Sequence, residues 1–162
     1  MTQPDAMPKP DTNQSDTGQS ESCLCLHASC VALEGRALLI RGAAGRGKSA
    51  LCLQLMAYGA QLVADDRVLL RVDGADLVAS APEATKGLIE ARGLGILRAQ
   101  SAAEARVVAI VDMDRVEGDR LPVQICEEIL GRTLPVLKRV DAAHFAPALM
   151  QYLKCGALAP DA

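Results

Sequence analysis

Residues 37–59, ALLIRGAAGRGKSALCLQLMAYG, decide the fold. Their first four residues form a continuous apolar run, which is typical of a buried parallel strand. A glycine-rich turn follows at residues 42–47, and residues 48–58 are good helix formers that carry an apolar stripe. Gly59 stands where a helix C-terminal glycine belongs. The stretch therefore predicts a strand, a tight loop and a helix in immediate succession.

The loop in this stretch carries a phosphate-binding motif. Gly42, Gly47, Lys48 and Ser49 fit the pattern G-x-x-x-x-G-K-[ST], with the flanking strand and helix that the motif requires. Backbone N–H groups of such a loop surround phosphate oxygens, the lysine reaches the outer phosphates, and the hydroxyl is a ligand for Mg²⁺. We therefore predict that the chain binds a nucleoside triphosphate. The predicted binding positions are Gly42, Ala43, Ala44, Gly45, Arg46, Gly47, Lys48 and Ser49.

Further elements follow the helix. Residues 61–64 form a short strand that ends in Asp65-Asp66, and residues 67–79 form an antiparallel hairpin around the turn dipeptide Asp73-Gly74. Beyond the hairpin we expect a glycine-rich functional loop, a buried strand, a solvated charged loop, a short strand and a terminal helix. These elements occupy residues 87–97, 106–111, 112–120, 123–126 and 146–154, respectively. The resulting architecture is a parallel core with an antiparallel hairpin beside it.

The composition excludes two classes of function. The 162 residues include one Phe, two Tyr and no Trp, which are too few aromatic side chains for a surface that stacks single-stranded nucleic acid. The formal net charge of −3 gives no global basic field. No apolar run approaches the roughly 18 residues of a membrane-spanning helix. We expect neither nucleic acid nor a membrane among the partners.

The net charge is concentrated near the N-terminus. Residues 1–22 hold four acidic side chains and one lysine, a net charge of −3, so the remaining residues balance. This segment has too little apolar surface to offset the entropy of ordering it. We predict a disordered polar tail over residues 1–22 and one domain over residues 23–162. Because no export signal opens the sequence, we expect a cytoplasmic location.

The six cysteines raise the question of a disulfide or a metal site. They include no C-x-x-C pair, and without an export signal we expect reduced thiols. Cys23-Leu24-Cys25 with His27 suggests a metal site, but the alternation equally suits a strand and no second ligand cluster accompanies it. A strand is the favoured interpretation.

Two adjacent carboxylates follow the strand at residues 61–64. Asp65 and Asp66 would stand beside the phosphates and supply a Mg²⁺ ligand or a general base. Aspartate is also common as a cap at a strand end, and the composition does not decide between these interpretations. Glu90 is a third candidate.

Three stretches, taken together, resemble a known family. The first joins His27 and Gly35 to the phosphate-binding loop, the second is LVADD at residues 62–66, and the third is EARGLGI at residues 90–96. A weaker match follows at residues 119–121. The combination is similar to the catalytic domain of HPr kinase/phosphorylase, the bacterial enzyme that phosphorylates a serine of the phosphocarrier protein HPr and so regulates the phosphotransferase system. The resemblance implies an α/β, P-loop kinase-like domain with a mixed sheet and an antiparallel hairpin, assembled into a homo-oligomer, usually a hexamer.

The resemblance also implies which residues hold the cofactors. Lys48 would bind the outer phosphates of ATP, a role that a lysine in this motif can fill. Ser49 and Glu90 would hold Mg²⁺. The expected cofactors are therefore ATP and Mg²⁺.

The catalytic roles that the resemblance implies fall on three further residues. Asp66 matches the family aspartate that accepts the proton of the attacking serine hydroxyl and returns it in the reverse, phosphate-driven reaction. His27 matches a histidine close to that aspartate. Arg120 would stabilise charge on the transferred phosphoryl group, which suits a guanidinium group. The expected activity is ATP- and Mg²⁺-dependent phosphorylation of a serine of HPr.

Departures from the family pattern keep other functions open. Ala43-Ala44 and Ala50 stand where the family usually has polar or acidic side chains, which favours a regulatory module that binds nucleotide without phosphoryl transfer. A P-loop kinase of a small molecule is a further alternative. Residues 134–139 are the only trace of the proline- and arginine-rich segment that the family uses for dephosphorylation, so the reverse reaction stays open. The length allows a compact form that consists of the catalytic domain alone.

Overall fold

The computed structural model describes residues 22–158. The predicted disordered tail lies outside the described residues except for Ser22, so its disorder stays a prediction. The strands are β1 (Cys23–Leu26), β2 (Ala28–Leu33), β3 (Arg36–Arg41), β4 (Gln61–Ala64), β5 (Val68–Asp73), β6 (Asp76–Ser80), β7 (Leu88–Ala91), β8 (Gly95–Arg98), β9 (Glu104–Val116), β10 (Ile125–Ile129) and β11 (Arg132–Arg139). The helices are α1 (Lys48–Ala57) and α2 (Phe145–Cys155), and Glu83–Thr85 forms one 3₁₀ turn.

Nine strands form one mixed sheet. Its order is β1-β5-β6-β9-β3-β2-β4, and β11 joins β9 while β10 pairs with β11. β9 is parallel to β3 and to β11, whereas every other pair in this sheet is antiparallel. This arrangement confirms a mixed sheet with a parallel centre. It also confirms the hairpin, which is β5-β6.

One edge of β9 serves two different strands. β6 pairs with the start of β9 at residues 104–106, and β11 pairs with it from Ile110 onward. β3 occupies the opposite edge along residues 106–112. The sheet therefore forks beside the middle of β9, between β6 and β11.

The core lies on both faces of the sheet. Leu39 of β3 belongs to one buried cluster, while its neighbours Leu38 and Ile40 belong to the other, because successive side chains of a strand point to opposite faces. Both helices pack on the Leu38 and Ile40 face. The opposite cluster is built by side chains of the strands themselves, since the sheet curls over it.

Two predicted loops are regular structure. The loop predicted at residues 87–97 is mostly a hairpin, β7-β8, because its three glycines lie just before β7, in the turn, and at the first residue of β8. The charged stretch after residue 111 is not a solvated loop at its start, because β9 continues to Val116. Asp112 is buried there, paired with Arg41 and Arg115.

The remaining elements agree in part with those predicted from the sequence. The terminal helix is confirmed, with Pro147 in its first turn, where the missing N–H costs no helical hydrogen bond. The stretch that starts at Cys23 is a strand, as favoured. β10 begins at Ile125, slightly later than predicted, and β2 and β11 were not predicted. All six cysteines are free thiols. Neither helix within residues 22–158 combines the length and apolar character that a bilayer crossing demands.

Candidate active site

The phosphate-binding loop connects β3 to α1, as the motif predicts. Gly47, the residue before α1, has φ +89°, a left-handed conformation that favours glycine. At Gly42 a Cβ atom would lie 3.0 Å from the Cβ of Met113, closer than van der Waals contact allows. The motif glycines thus let the loop turn sharply against the end of β9.

The Lys48 side chain bonds to the backbone of the phosphate-binding loop. Its Nζ donates hydrogen bonds to the carbonyl oxygens of Gly42, at 2.6 Å, and of Ala43, at 3.2 Å. The residue is 8% exposed. The ammonium group is therefore fixed beside the backbone of the loop rather than free in solvent.

Asp114, near the end of β9, holds the outside of the same loop. Its two carboxylate oxygens accept hydrogen bonds from the backbone N–H of Ala43 at 3.0 and 3.2 Å. The Nε of Arg46 lies 3.3 Å from Oδ1 of Asp114. Sequence reasoning missed this residue because its charged surroundings are typical of a solvated loop.

Asp65 joins three elements at the floor of the site. It is 6% exposed, and its Oδ1 accepts hydrogen bonds from the hydroxyls of Ser49, at 2.7 Å, and Ser29, at 2.8 Å. Its Oδ2 accepts the backbone N–H of Glu90 at 3.2 Å. Asp65 thereby fixes the start of α1, the strand β2 and the strand β7 relative to one another.

Asp66 has the opposite surroundings. Its φ of +67° is left-handed, which turns its side chain away from that of Asp65, and the side chain is 68% exposed. Oδ1 of Asp66 lies 3.2 Å from Nδ1 of His27. An accessible carboxylate beside an imidazole is a suitable proton acceptor for a bound hydroxyl group.

Most of the predicted site residues line a single cleft of about 360 Å³. The cleft combines the phosphate-binding loop and α1 with residues from the β1–β2 connection, the start of β2, the segment after β4, and β7 with the turn that follows it. Its lining consists of His27, Ser29, Ala44, Gly45, Gly47, Lys48, Ser49, Ala50, Leu53, Asp66, Glu90 and Arg92.

Four predicted residues do not line the cleft. Gly42, Ala43 and Arg46 belong to the loop but are not lining residues. Lys48 bonds to the carbonyl oxygens of Gly42 and Ala43, and Asp114 contacts Ala43 and Arg46. Arg120 lies in the exposed segment between β9 and β10. Arg92 is a cationic lining residue to which sequence reasoning gave no role, although it belongs to the EARGLGI stretch.

The donor set of the cleft fits a Mg²⁺ ion that is bound together with phosphate. The Ser49 hydroxyl and the Glu90 carboxylate both line the cleft. Across residues 22–158 no group of three or more His, Cys, Asp and Glu side chains converges to hold a metal unaided. Mg²⁺ ordinarily takes one or two protein oxygens and completes its shell with substrate phosphates and water. Two oxygen ligands beside a phosphate-binding loop meet that requirement.

Two thiols lie beneath the site. Burial raises the pKa of the Cys52 thiol well above its ordinary value, and the nearby Asp65 carboxylate raises it further. Burial also raises the pKa of Cys30. Both thiols stay protonated near neutral pH and pack as small apolar groups.

Comparison with known proteins gives a consistent set of relatives. Residues 20–117 match the family described as HPr serine kinase C-terminal domain. The HPr kinase/phosphorylase of Geobacillus kaustophilus is 34% identical over 146 residues, which cover 74% of this chain and 47% of that protein. The HPr kinase/phosphorylase of Clostridium tetani is 43% identical over 72 residues, which cover 44% of this chain and 24% of that protein. The chain thus spans about half or less of the length of these relatives.

A solved structure agrees with the sequence relatives. The Hpr(Ser) kinase/phosphatase from Coxiella burnetii superposes with a TM-score of 0.66 at 28% identity, covering 81% of this chain and 93% of that chain. The family match alone covers more than half of the 162 residues. The chain therefore belongs to the HPr serine kinase C-terminal domain family.

Proposed function

We propose that this chain is a P-loop kinase that uses ATP and Mg²⁺ to phosphorylate a serine of an HPr-type phosphocarrier protein. The observation that carries the proposal is the shared cleft, in which the accessible Asp66–His27 pair faces Lys48 and Ser49 of the phosphate-binding loop. The relatives named HPr kinase/phosphorylase support the choice of substrate.

Binding of ATP is assigned to the loop and its lysine. Backbone N–H groups at Gly45 and Gly47 and the N-terminus of α1 bind phosphate oxygens, and Lys48 neutralises the outer phosphates. Ser49 and Glu90 hold Mg²⁺, which supplies positive charge beside the phosphate oxygens when it is bound.

Proton transfer is assigned to Asp66. The serine hydroxyl of HPr gives its proton to the Asp66 carboxylate while its oxygen attacks the γ-phosphorus, and the bond to the ADP oxygen breaks. His27 keeps the carboxylate oriented through the 3.2 Å contact. In the reverse direction Asp66 returns the proton to the serine oxygen as phosphate takes up the phosphoryl group.

Charge on the transferred phosphoryl group requires a cation near the γ-phosphate. The resemblance assigns this role to Arg120, whereas the cleft itself contains Arg92. A comparison of Arg92→Gln with Arg120→Gln separates the two assignments. The variant that loses transfer while it still binds ATP identifies the stabilising group.

The decisive experiment is a transfer assay with purified chain, ATP, Mg²⁺ and HPr, in which phosphoserine is detected by mass spectrometry. Asp66→Asn should abolish transfer and retain ATP binding, because asparagine tolerates the left-handed backbone but cannot accept the proton. Lys48→Ala should weaken both. Glu128→Gln, an exposed change outside the cleft, is the matched control. Full activity of Asp66→Asn would show that Asp66 is not the base.

The reverse reaction has its own assay. Phosphoserine HPr is mixed with the chain, Mg²⁺ and inorganic phosphate, and pyrophosphate is measured. Its formation in the wild-type chain and its loss in Asp66→Asn would establish phosphorolysis at the same site.

One observation favours a second function, a regulatory module that binds nucleotide without transfer. Ala44 and Ala50 line the cleft, so these positions offer no polar side chain to the nucleotide or its metal. Tight ATP binding with slow or absent turnover of ATP, and no phosphoserine on HPr, would favour this second function.

The cellular setting is also part of the proposal. On the family resemblance we assign a cytoplasmic homo-oligomer, a hexamer, that contacts HPr. Light scattering on the purified chain measures the oligomer, and a pull-down with HPr tests the partner.

A further inference from the structure

A second cavity, of about 370 Å³, lies at the fork of the sheet. It opens beside Val107 and Val108 of β9, between the start of β6 and the hairpin β10-β11. None of the residues that line it lines the active-site cleft. The cavity is therefore a separate feature, beside the first half of β9, whereas Asp114 meets the phosphate-binding loop near the other end of that strand.

Three arginines line this cavity. Arg36 and Arg106 are paired in register on the adjacent strands β3 and β9, and Arg132 begins β11. The only carboxylate in the lining is that of Asp76, whose Oδ1 lies 3.9 Å from Nη1 of Arg106. Three guanidinium groups against one carboxylate give the lining a net charge of +2.

Two of these arginines have a buried donor. The Nε atoms of Arg36 and Arg132 are buried and make no hydrogen bond to any residue between 22 and 158. Arg132 uses Nη2 to donate to the carbonyl oxygen of Gly74, which ties the hairpin β10-β11 to the turn of β5-β6. The Arg36 guanidinium makes no hydrogen bond or ion pair with the described residues. Buried donors ordinarily have partners, because an unsatisfied buried polar group is costly.

We propose that this cavity binds a small molecule through a phosphate monoester group. A phosphate monoester carries about −1.5 to −2 charges near neutral pH, which matches the excess of +2, whereas a single carboxylate carries only −1. Guanidinium groups bind phosphate oxygens with paired, charge-assisted hydrogen bonds, and three of them line this cavity. The volume lies within the usual range for small-molecule sites, roughly 300–1,000 Å³.

The test follows the arginine side chains directly. Nuclear magnetic resonance of the full ¹⁵N-labelled chain reports each Nε–H signal, and the spectra of Arg36→Gln and Arg132→Gln assign two of them. During titration with inorganic phosphate, the Nε–H signals of Arg36 and Arg132 should shift and saturate, whereas that of Arg98, on the separate hairpin β7-β8, should not. Acetate at equal ionic strength should give smaller shifts.

Matched variants test the affinity. Arg36→Gln should weaken the phosphate binding reported by the Arg132 signal about tenfold, because it removes one charge-assisted contact. Arg98→Gln should leave the same affinity unchanged. Within residues 22–158 Arg36 forms no hydrogen bond or ion pair, and its charge acts only on the nearby Tyr152 hydroxyl, so its replacement leaves the structural hydrogen bond of Arg132 in place.

Three results would overturn the proposal. One is a set of Arg36 and Arg132 shifts no larger than that of Arg98, another is full affinity in Arg36→Gln, and the third is an equal response to acetate. Lys48→Ala in the same titration separates the two sites, since the shifts at the fork should persist when the phosphate-binding loop is impaired. The outcome is thus independent of whether the proposed kinase activity is found.

Discussion

Asp65 and Asp66 are neighbours in the chain, yet their carboxylates have opposite surroundings. The left-handed φ of +67° at Asp66 sends one side chain to the buried floor and the other to the cleft. The sequence marks both residues as candidates but does not distinguish them, because the backbone conformation depends on what packs beneath the strand end. The phosphate-binding loop, by contrast, is predictable, since its strand, glycines and helix are contiguous. Asp114 was not predictable, because it meets Ala43 across 71 positions of sequence.

Asp114 carries a prediction at this scale. Asp114→Ala removes the acceptor of the Ala43 N–H and the partner of Arg46, so the loop should lose order. We expect ATP to bind about tenfold more weakly, because part of the binding energy then orders the loop. Asp114→Asn should lie between, since its amide oxygen still accepts one hydrogen bond.

Hydrogen exchange distinguishes loss of the Asp114–Ala43 hydrogen bond from a general loss of stability. The amide of Ala43 should exchange faster in Asp114→Ala, while Glu128→Ala, an exposed control on β10, should leave the rate unchanged. Equal exchange rates in Asp114→Ala and the wild-type chain would contradict the contact.

Some secondary-structure elements can be predicted from local sequence, and others cannot. β3, α1 and the hairpin β5-β6 follow from local periodicity and turn dipeptides. β11 was missed because a proline such as Pro135 is rare inside a strand. It is tolerated here because Pro135 has a neighbouring strand on one side only, β10, and β11 begins to pair with β9 at Val136. The length of β9 was missed because Asp112 is an acidic residue whose burial depends partly on Arg41, which comes from the distant strand β3.

The turn between β2 and β3 carries a stability prediction. Glu34 and Gly35 have φ of +51° and +79°, both left-handed, as in the tight hairpin turns that favour Asn-Gly. Glu34 is exposed, so Glu34→Asn should raise the free energy of unfolding by about 0.5–1 kcal/mol as strain is relieved. Urea denaturation measures it, with Glu34→Ala as control. A gain of the same size in Glu34→Ala would show that the backbone conformation is not the cause.

The ion pairs that Arg41 of β3 forms with Asp112 of β9 and Glu127 of β10 carry a pH prediction. Burial alone would raise the pKa of Asp112, but hydrogen bonds from Arg115 and from the backbone of Asp114, with the nearby Arg41, outweigh it and hold the pKa below its ordinary value. The Arg41 hydrogen bond likewise lowers the pKa of Glu127. Because the folded carboxylates hold protons less tightly than unfolded ones, they stabilise the fold above their unfolded pKa of about 4.

That stabilisation should disappear as the pH falls from about 5 toward and below the folded pKa values. Denaturation at a series of pH values should therefore show a smaller loss of stability for Asp112→Asn than for the wild-type chain. Glu128→Gln removes a neighbouring carboxylate that forms no ion pair with the described residues, and it should follow the wild-type curve. A wild-type slope in Asp112→Asn would rule out this linkage.

At the largest scale, residues 22–158 form a main sheet covered on both faces mostly by aliphatic side chains. The composition predicts such a core, because one Phe, two Tyr and no Trp leave mostly aliphatic residues to fill it. It does not predict that the sheet curls and forks, since that follows from strands far apart in sequence that share the edge of β9. The arginine-lined cavity exists only at this scale, as its members come from β3, β9 and β11.

The thiols carry a prediction for the whole fold. Cys30 and Cys52 are buried, whereas Cys23, Cys25, Cys126 and Cys155 are exposed. A thiol reagent should therefore titrate four groups rapidly in the native protein and all six in denaturant, because burial keeps the other two protonated and shielded. Rapid reaction of all six in the native state would contradict the packing of the floor.

The position of Cys52 makes its thiol a reporter of local opening of the fold. A chain without tryptophan offers little intrinsic fluorescence to follow, but the Cys52 sulfur lies beneath Asp65 and Ser29, so a reagent reaches it only when the floor of the cleft separates from α1. The rate of its alkylation, read by mass spectrometry, thus times local opening of the unlabelled protein. A ligand that holds the cleft closed should lower the alkylation rate of Cys52 in proportion to the fraction of molecules that carry the ligand.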